Sequence, residues 1–215
     1  MVERMTDVTI GKLIKSNTHV DYLCQVYGPR EVDRAPAPSD YALGTFVRVP
    51  LNGEDPLSGP GQSHGELIGM IYDTVLHNPE FGNLGPRLSS EPDLQVFTPD
   101  YLAEKVTLVG ITTVGMRAPD GTVTHGIPAL AAQIDAVVTR LAEDAVRDFH
   151  RAPDGGVRLE YAPMLVAQGS PLARHLLLRI VDHLGALFPE EAAHLSVLRA
   201  ELAWQTMIAP MGGVA

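Results

Sequence analysis

The residues of this chain whose types and spacing most resemble a reaction centre are Gly61-Gln62-Ser63-His64-Gly65, a Gly-x-Ser-x-Gly run. In serine hydrolases this pattern marks a strained strand-to-helix turn that lifts a nucleophilic hydroxyl above a sheet, served by an acid and a histidine elsewhere in the chain. Downstream acids and His125, His175 or His183 satisfy that order. The preceding stretch, Gly53 to Pro60, is rich in glycine, proline and acids and supplies no apolar strand. The segment therefore reads first as a flexible glycine loop, with Ser63 as the nucleophile of an alternative hydrolase reading.

Phosphate chemistry needs a glycine loop ending in lysine and a hydroxyl residue, because backbone amides and the lysine together hold the phosphates. After Gly59-Pro60-Gly61 the chain offers Glu66 at that place, and Gly11-Lys12-Leu13 lacks both the upstream glycine and the hydroxyl. ATP hydrolysis by this chain alone is not expected. Histidines 64, 77, 125, 150, 175, 183 and 194 show no His-Glu-x-x-His or similar ligand spacing, so no metal site and no cofactor is expected. Asp144 and Asp148 lie one helical turn apart, with arginines nearby; a solvated helical face explains them more simply than a divalent cation does.

Composition narrows the class further. The chain has 215 residues, 45% of them hydrophobic, enough to bury a core as one domain with an appendage or as two small domains. Its formal net charge is −10, with 9 Lys+Arg against 16 Asp+Glu up to Ile127 and 7 against 10 after it. Neither part is a cationic clamp, so any DNA contact is expected to be indirect. Cys24 is the single cysteine and excludes an internal disulfide. No apolar stretch is long enough to span a membrane, the start carries acids without a signal-type apolar core, and a cytoplasmic setting is expected.

The elements that position these residues read as strands first and helices second. Val8 to Ile14 and the alternating Val20, Tyr22, Cys24 and Val26 suggest two strands, followed by a proline-rich loop around Pro36 and Pro38. Leu43 to Val49 and Leu67 to Val75 predict two more, joined by a long loop from Asn52 to Gly65, and Tyr101-Leu102 suggests a short helix. Lys105 to Met116 reads as a long strand, and Ala118-Pro119-Asp120-Gly121 as a turn before Thr122-Val123-Thr124. Strands at this spacing predict a small barrel over residues 1–127. From Pro128 the pattern turns helical: Leu130, Ile134, Val137, Val138, Leu141 and Ala145 predict an amphipathic helix through Phe149. Val157 to Val166 suggests an edge strand, and two further helices start at Ser170-Pro171 and Pro189. The expected class is α+β: an N-terminal β-barrel followed by a helical region of about three helices over 128–215.

One arrangement within the strands is more particular. Leu43-Gly44-Thr45-Phe46-Val47-Arg48-Val49, an acidic loop, and Leu67-Ile68-Gly69-Met70-Ile71 running into Tyr72-Asp73-Thr74-Val75 together resemble the HAS-barrel domain. The resemblance covers the first three fifths of the chain and rests on Gly44, Phe46, Val47, Val49, Ile68, Gly69 and Ile71. In that family the barrel precedes the HerA helicase ATPases, is related to the N-terminal barrels of rotary ATP synthase subunits, and helps assemble the hexameric ring on which the NurA nuclease docks. After His125-Gly126-Ile127 this chain runs on without a nucleotide-binding motif. The resemblance thus implies a standalone, non-catalytic accessory or assembly subunit for a HerA-type ATPase, a NurA-type nuclease or a second copy of itself. His175, Arg179, His183 and Trp204 on the helices are the expected partner surface, and Tyr161 and Phe188 are expected either beside Trp204 at an interface or in the core. A direct DNA-binding module is the remaining class, and clustered basic residues are its missing feature.

Overall fold

The computed structural model describes residues 8–52, 63–77, 106–168 and 172–208. Among the described residues seven strands form one antiparallel sheet: β1 Thr9–Ser16, β2 Asp21–Val26, β3 Phe46–Asn52, β4 Ser63–His77, β5 Val106–Arg117, β6 Val123–His125 and β7 Val137–Arg140. Six of them close on themselves in the order β1, β2, β5, β4, β3, β7 and back to β1. The short β6 lies outside the closed ring and pairs with the far end of β5, Gly115 opposite His125.

The barrel follows from the alternation of its residues. Ile10, Tyr22, Cys24, Val47, Val49, Leu67, Ile71, Val109, Ile111 and Val138 fill the interior as one apolar cluster. Their partners in alternation behave differently on different strands. On β4 and β5 the outward residues Ile68, Met70 and Val114 are also buried, because helices cover that wall. This double coverage explains why Leu67 to Ile71 is a continuous apolar run while β2 alternates. Burying each such side chain contributes about 1.5–3 kcal/mol before the entropy of ordering it is subtracted.

Both signature glycines sit where a side chain is disfavoured. A Cβ on Gly69 would lie 2.7 Å from Ile111 Cγ2 and 3.2 Å from the Thr112 carbonyl oxygen, at a register shift between β4 and β5. Gly44 has φ +88°, a conformation that costs any L side chain strain.

The predicted helix from Pro128 to Phe149 is corrected. Leu130 and Ile134 are exposed, Val137 to Arg140 forms β7, and only Glu143–His150 is helical (α1). The physical reason is closure: β7 is the strand that hydrogen-bonds both β1 and β3, and its β-branched Val137-Val138-Thr139 suits that pleated position with Val138 wholly buried inside. The apolar spacing that mimics a helix is shared between an exposed loop and a barrel stave. The expected edge strand over Val157 to Val166 is likewise replaced, by a single bridge from Arg151 to Val157 and the short helix α2, Ala162–Ala167. Proline at the first turn of α2 suits a helix start and cannot serve a ladder.

Helix α3, Ala173–Leu187, buries Leu176, Leu177, Ile180, Val181 and Leu184 along one side. After Phe188 and a 3-10 turn at Pro189–Glu191 comes α4, Ala192–Ile208, which packs on α3 through Leu195, Leu198 and Leu202. An α+β protein results, a closed barrel followed by four helices among the described residues. Of the loop expected from Asn52 to Gly65, the two ends are strand instead, Asn52 closing β3 and Ser63 to Gly65 opening β4, because Asn52 and Ser63 pair in register. Residues 53–62, the expected short helix at Tyr101-Leu102 and the cap pair Ser170-Pro171 lie outside the described residues.

Candidate functional site

Residues from distant parts of the chain meet at the junction of barrel and helices. Gly44 and Phe46, from the strand signature, and Arg179 and His183, from the helical surface, line one cleft of about 190 Å³ between the start of β3 and α3. Its apolar floor is made by Phe46, Leu141 and Val146, each no more than 3% exposed, and the cleft is half open to solvent. Its rim is charged. Arg140, on β7, ion-pairs with Asp40 at 3.2 Å and with Glu143 at 3.7 Å. Glu143, at the first turn of α1, also accepts a hydrogen bond from His183 Nε2 at 2.5 Å. Asp40 is itself buried and takes the Ala37 N–H at 2.9 Å, which fixes the rim from the 3-10 turn at Pro38–Tyr41. The guanidinium of Arg179, on the exposed side of α3, has no ion pair or hydrogen bond among the described residues and lies against Gly44.

The other expected positions separate. His175 is exposed on α3 outside the cleft, and Trp204 is 62% exposed on the outward side of α4. Seven residues before it Val197 is 67% exposed, so the two share one helical face opposite the packed leucines. Tyr161 and Phe188 are wholly buried core. Val47, Val49 and Ile71 fill the barrel, and Ile68 lies under the helices; their part in the signature is packing.

Ser63 is exposed at the first residue of β4, paired in register with Asn52, and its Oγ accepts the Gly65 N–H at 3.2 Å. From Ser63 the chain runs on as a fifteen-residue strand, where a nucleophile elbow continues into a helix. Asp144 and Asp148 are exposed on α1, and no group of three or more His, Cys, Asp or Glu suited to hold a metal ion occurs among the described residues. Cys24 is enclosed in the barrel, and burial pushes its thiol up to about 12, which leaves it unreactive at neutral pH.

Sequence reasoning missed a buried polar cluster beside the cleft. His150 is completely buried at the end of α1, with Nδ1–H donating to the Val146 carbonyl at 2.8 Å and Nε2 accepting from the Tyr161 hydroxyl at 2.7 Å. Its burial, aided by repulsion from His125, His183 and Arg158, drops its pKa to about 3, so the ring is neutral. His125 stacks on Phe149 with ring centroids 4.4 Å apart and donates from Nε2 to the Phe149 carbonyl at 2.9 Å. Its pKa is lowered too, chiefly by burial. The one sequence signal for this cluster was that His150 follows Phe149 on the apolar side of α1, four residues after Val146.

The molecule is therefore a barrel domain capped by helices, with a charged-rim cleft at the junction and an outward aromatic on its last described helix. It belongs to the family described as a domain of unknown function, DUF8166, whose sequence model matches residues 1–214. No curated protein matches the chain. What the structure shares with the HAS-barrel resemblance is the closed antiparallel barrel; the family shown is DUF8166. No described helix is long and apolar enough to cross a membrane.

Proposed function

We propose that this chain is a non-catalytic accessory or assembly subunit that docks on a HerA-type DNA-translocating ATPase or a NurA-type nuclease in DNA-end processing, or on a second copy of itself. The observation that carries this reading is the outward face of α4, where Trp204 and Val197 stand 62% and 67% exposed, one above the other, on a helix whose opposite face is already packed. A large aromatic held at the surface by a rigid helix supplies binding energy only when a partner covers it. The strand signature supports the choice of partner, and the net charge of −10 favours a basic protein surface over direct contact with phosphates.

The test is sedimentation of the purified chain alone and with each purified candidate, at low and moderate salt. A stable complex with the ATPase or the nuclease, or a self-dimer, is expected, and Trp204→Glu should abolish it while changing monomer stability by no more than about 0.5 kcal/mol. A strict monomer that ignores both proteins at every salt concentration would end the proposal. The hydrolase reading has its own assay: fluorophosphonate labelling and ester turnover that vanish in Ser63→Ala.

A further inference from the structure

The cleft at the barrel–helix junction has a composition that partner docking through α4 does not use. We infer that it binds a small organic carboxylate, with the apolar body of the ligand on Phe46, Leu141 and Val146 and its carboxylate on Arg179. The volume sets the size. A cavity of about 150 Å³ accommodates benzene, and pockets for drug-sized ligands start at about 300 Å³, so the 190 Å³ of this half-open cleft suits a single ring or a short aliphatic chain.

The rim sets the charge. Among the described residues Glu143 is the acid that lines the cleft, and Arg140 and His183 already hold it, while the buried Asp40 behind the lining takes Arg140 from the other side. Arg179, exposed on α3 and among the residues that line the cleft, is left over as a cation without an ion pair among the described residues. A planar guanidinium meets a carboxylate with two parallel hydrogen bonds, a geometry that one carboxylate fills completely. A phosphate dianion would bring its second charge beside the Glu143 carboxylate, and like charges so placed repel. The glycine at position 44 completes the opening: with no side chain there, the Arg179 stem lies across the backbone, its Cβ 3.7 Å from where a glycine-replacing Cβ would stand.

This inference does not depend on the accessory-subunit reading, since the ligand and the α4 face occupy different surfaces. The experiment is ligand-observed NMR and calorimetry on the full chain with benzoate and hexanoate as carboxylates, benzamide as the neutral isostere of benzoate, and inorganic phosphate as the competing anion. Saturable binding of at least one carboxylate is expected, with a dissociation constant on the order of 1 mM or tighter, and benzamide should bind at least about tenfold more weakly. Arg179→Met should cost the carboxylate about tenfold or more while leaving the circular dichroism spectrum and the urea midpoint unchanged, and Arg30→Met, outside the cleft, should cost nothing. The assignment is overturned if neither carboxylate binds, if benzamide or phosphate binds as well as they do, or if Arg179→Met leaves their affinity intact.

Discussion

At the scale of single residues the buried His150–Tyr161 pair makes the sharpest claims. In the folded protein the His150 pKa is about 3, whereas an unfolded histidine titrates near 6.5, so between those values the unfolded chain binds the proton first. Stability is therefore complete above about pH 6.5 and is lost as the pH falls toward 3, at up to about 1.4 kcal/mol per pH unit for one such histidine. His125, also lowered, acts in the same direction. Chemical denaturation between pH 7 and 5, above the range where most carboxylates titrate, should show this slope. His150→Phe should reduce it by close to one proton, and an unchanged slope would place the acid sensitivity elsewhere. Tyr161→Phe removes the donor that satisfies buried Nε2 and should destabilise by about 1–3 kcal/mol at neutral pH, read as a shift in urea midpoint with the same m-value.

At the scale of elements, the signature strands carry the next prediction. Gly69→Ala would set a methyl group 2.7 Å from Ile111 Cγ2 between two strands that are covered on both faces, so neither can retreat; a loss of about 1–3 kcal/mol is expected in thermal or urea unfolding. Strands β1 to β6 were legible because alternation along Tyr22 and Cys24, and turn residues such as Asp120-Gly121, carry local information. Strand β7 was illegible for a reason that is not local. Four residues, Val137–Arg140, become a strand only because β1 and β3 each present an edge to them, and a window of sequence around them sees helical spacing instead. The cleft itself was not legible. The sequence marks Gly44 and Phe46 as barrel signature and Arg179 and His183 as partner surface, and the cleft that joins them depends on Arg140 and Glu143, which enter from β7 and α1, the very segment whose structure the pattern hid.

For the molecule as a whole, two apolar clusters share one wall. The barrel interior includes Val47, Leu67 and Ile71, and the second cluster takes the outward Phe46, Ile68, Met70 and Val114 from the same strands and buries them under α1, α3 and α4. Barrel and helices should then unfold in one transition, with amides of β4 and α3 reporting the same opening free energy in hydrogen exchange. A fragment of residues 8–127 lacks both β7 and the helical cover and should be insoluble or molten, whereas independent folding of that fragment would break this account. The chain order of the barrel also matters before folding is complete. Translation delivers β3 long before β7, and at synthesis rates of about 5–20 residues per second the gap is on the order of ten seconds. Throughout that interval the nascent chain holds β1 and β3 with bare edges, the state in which strands pair with neighbours on the same polysome. Synonymous codons that slow the ribosome between residues 52 and 137 should therefore lower the soluble yield without altering one amino acid.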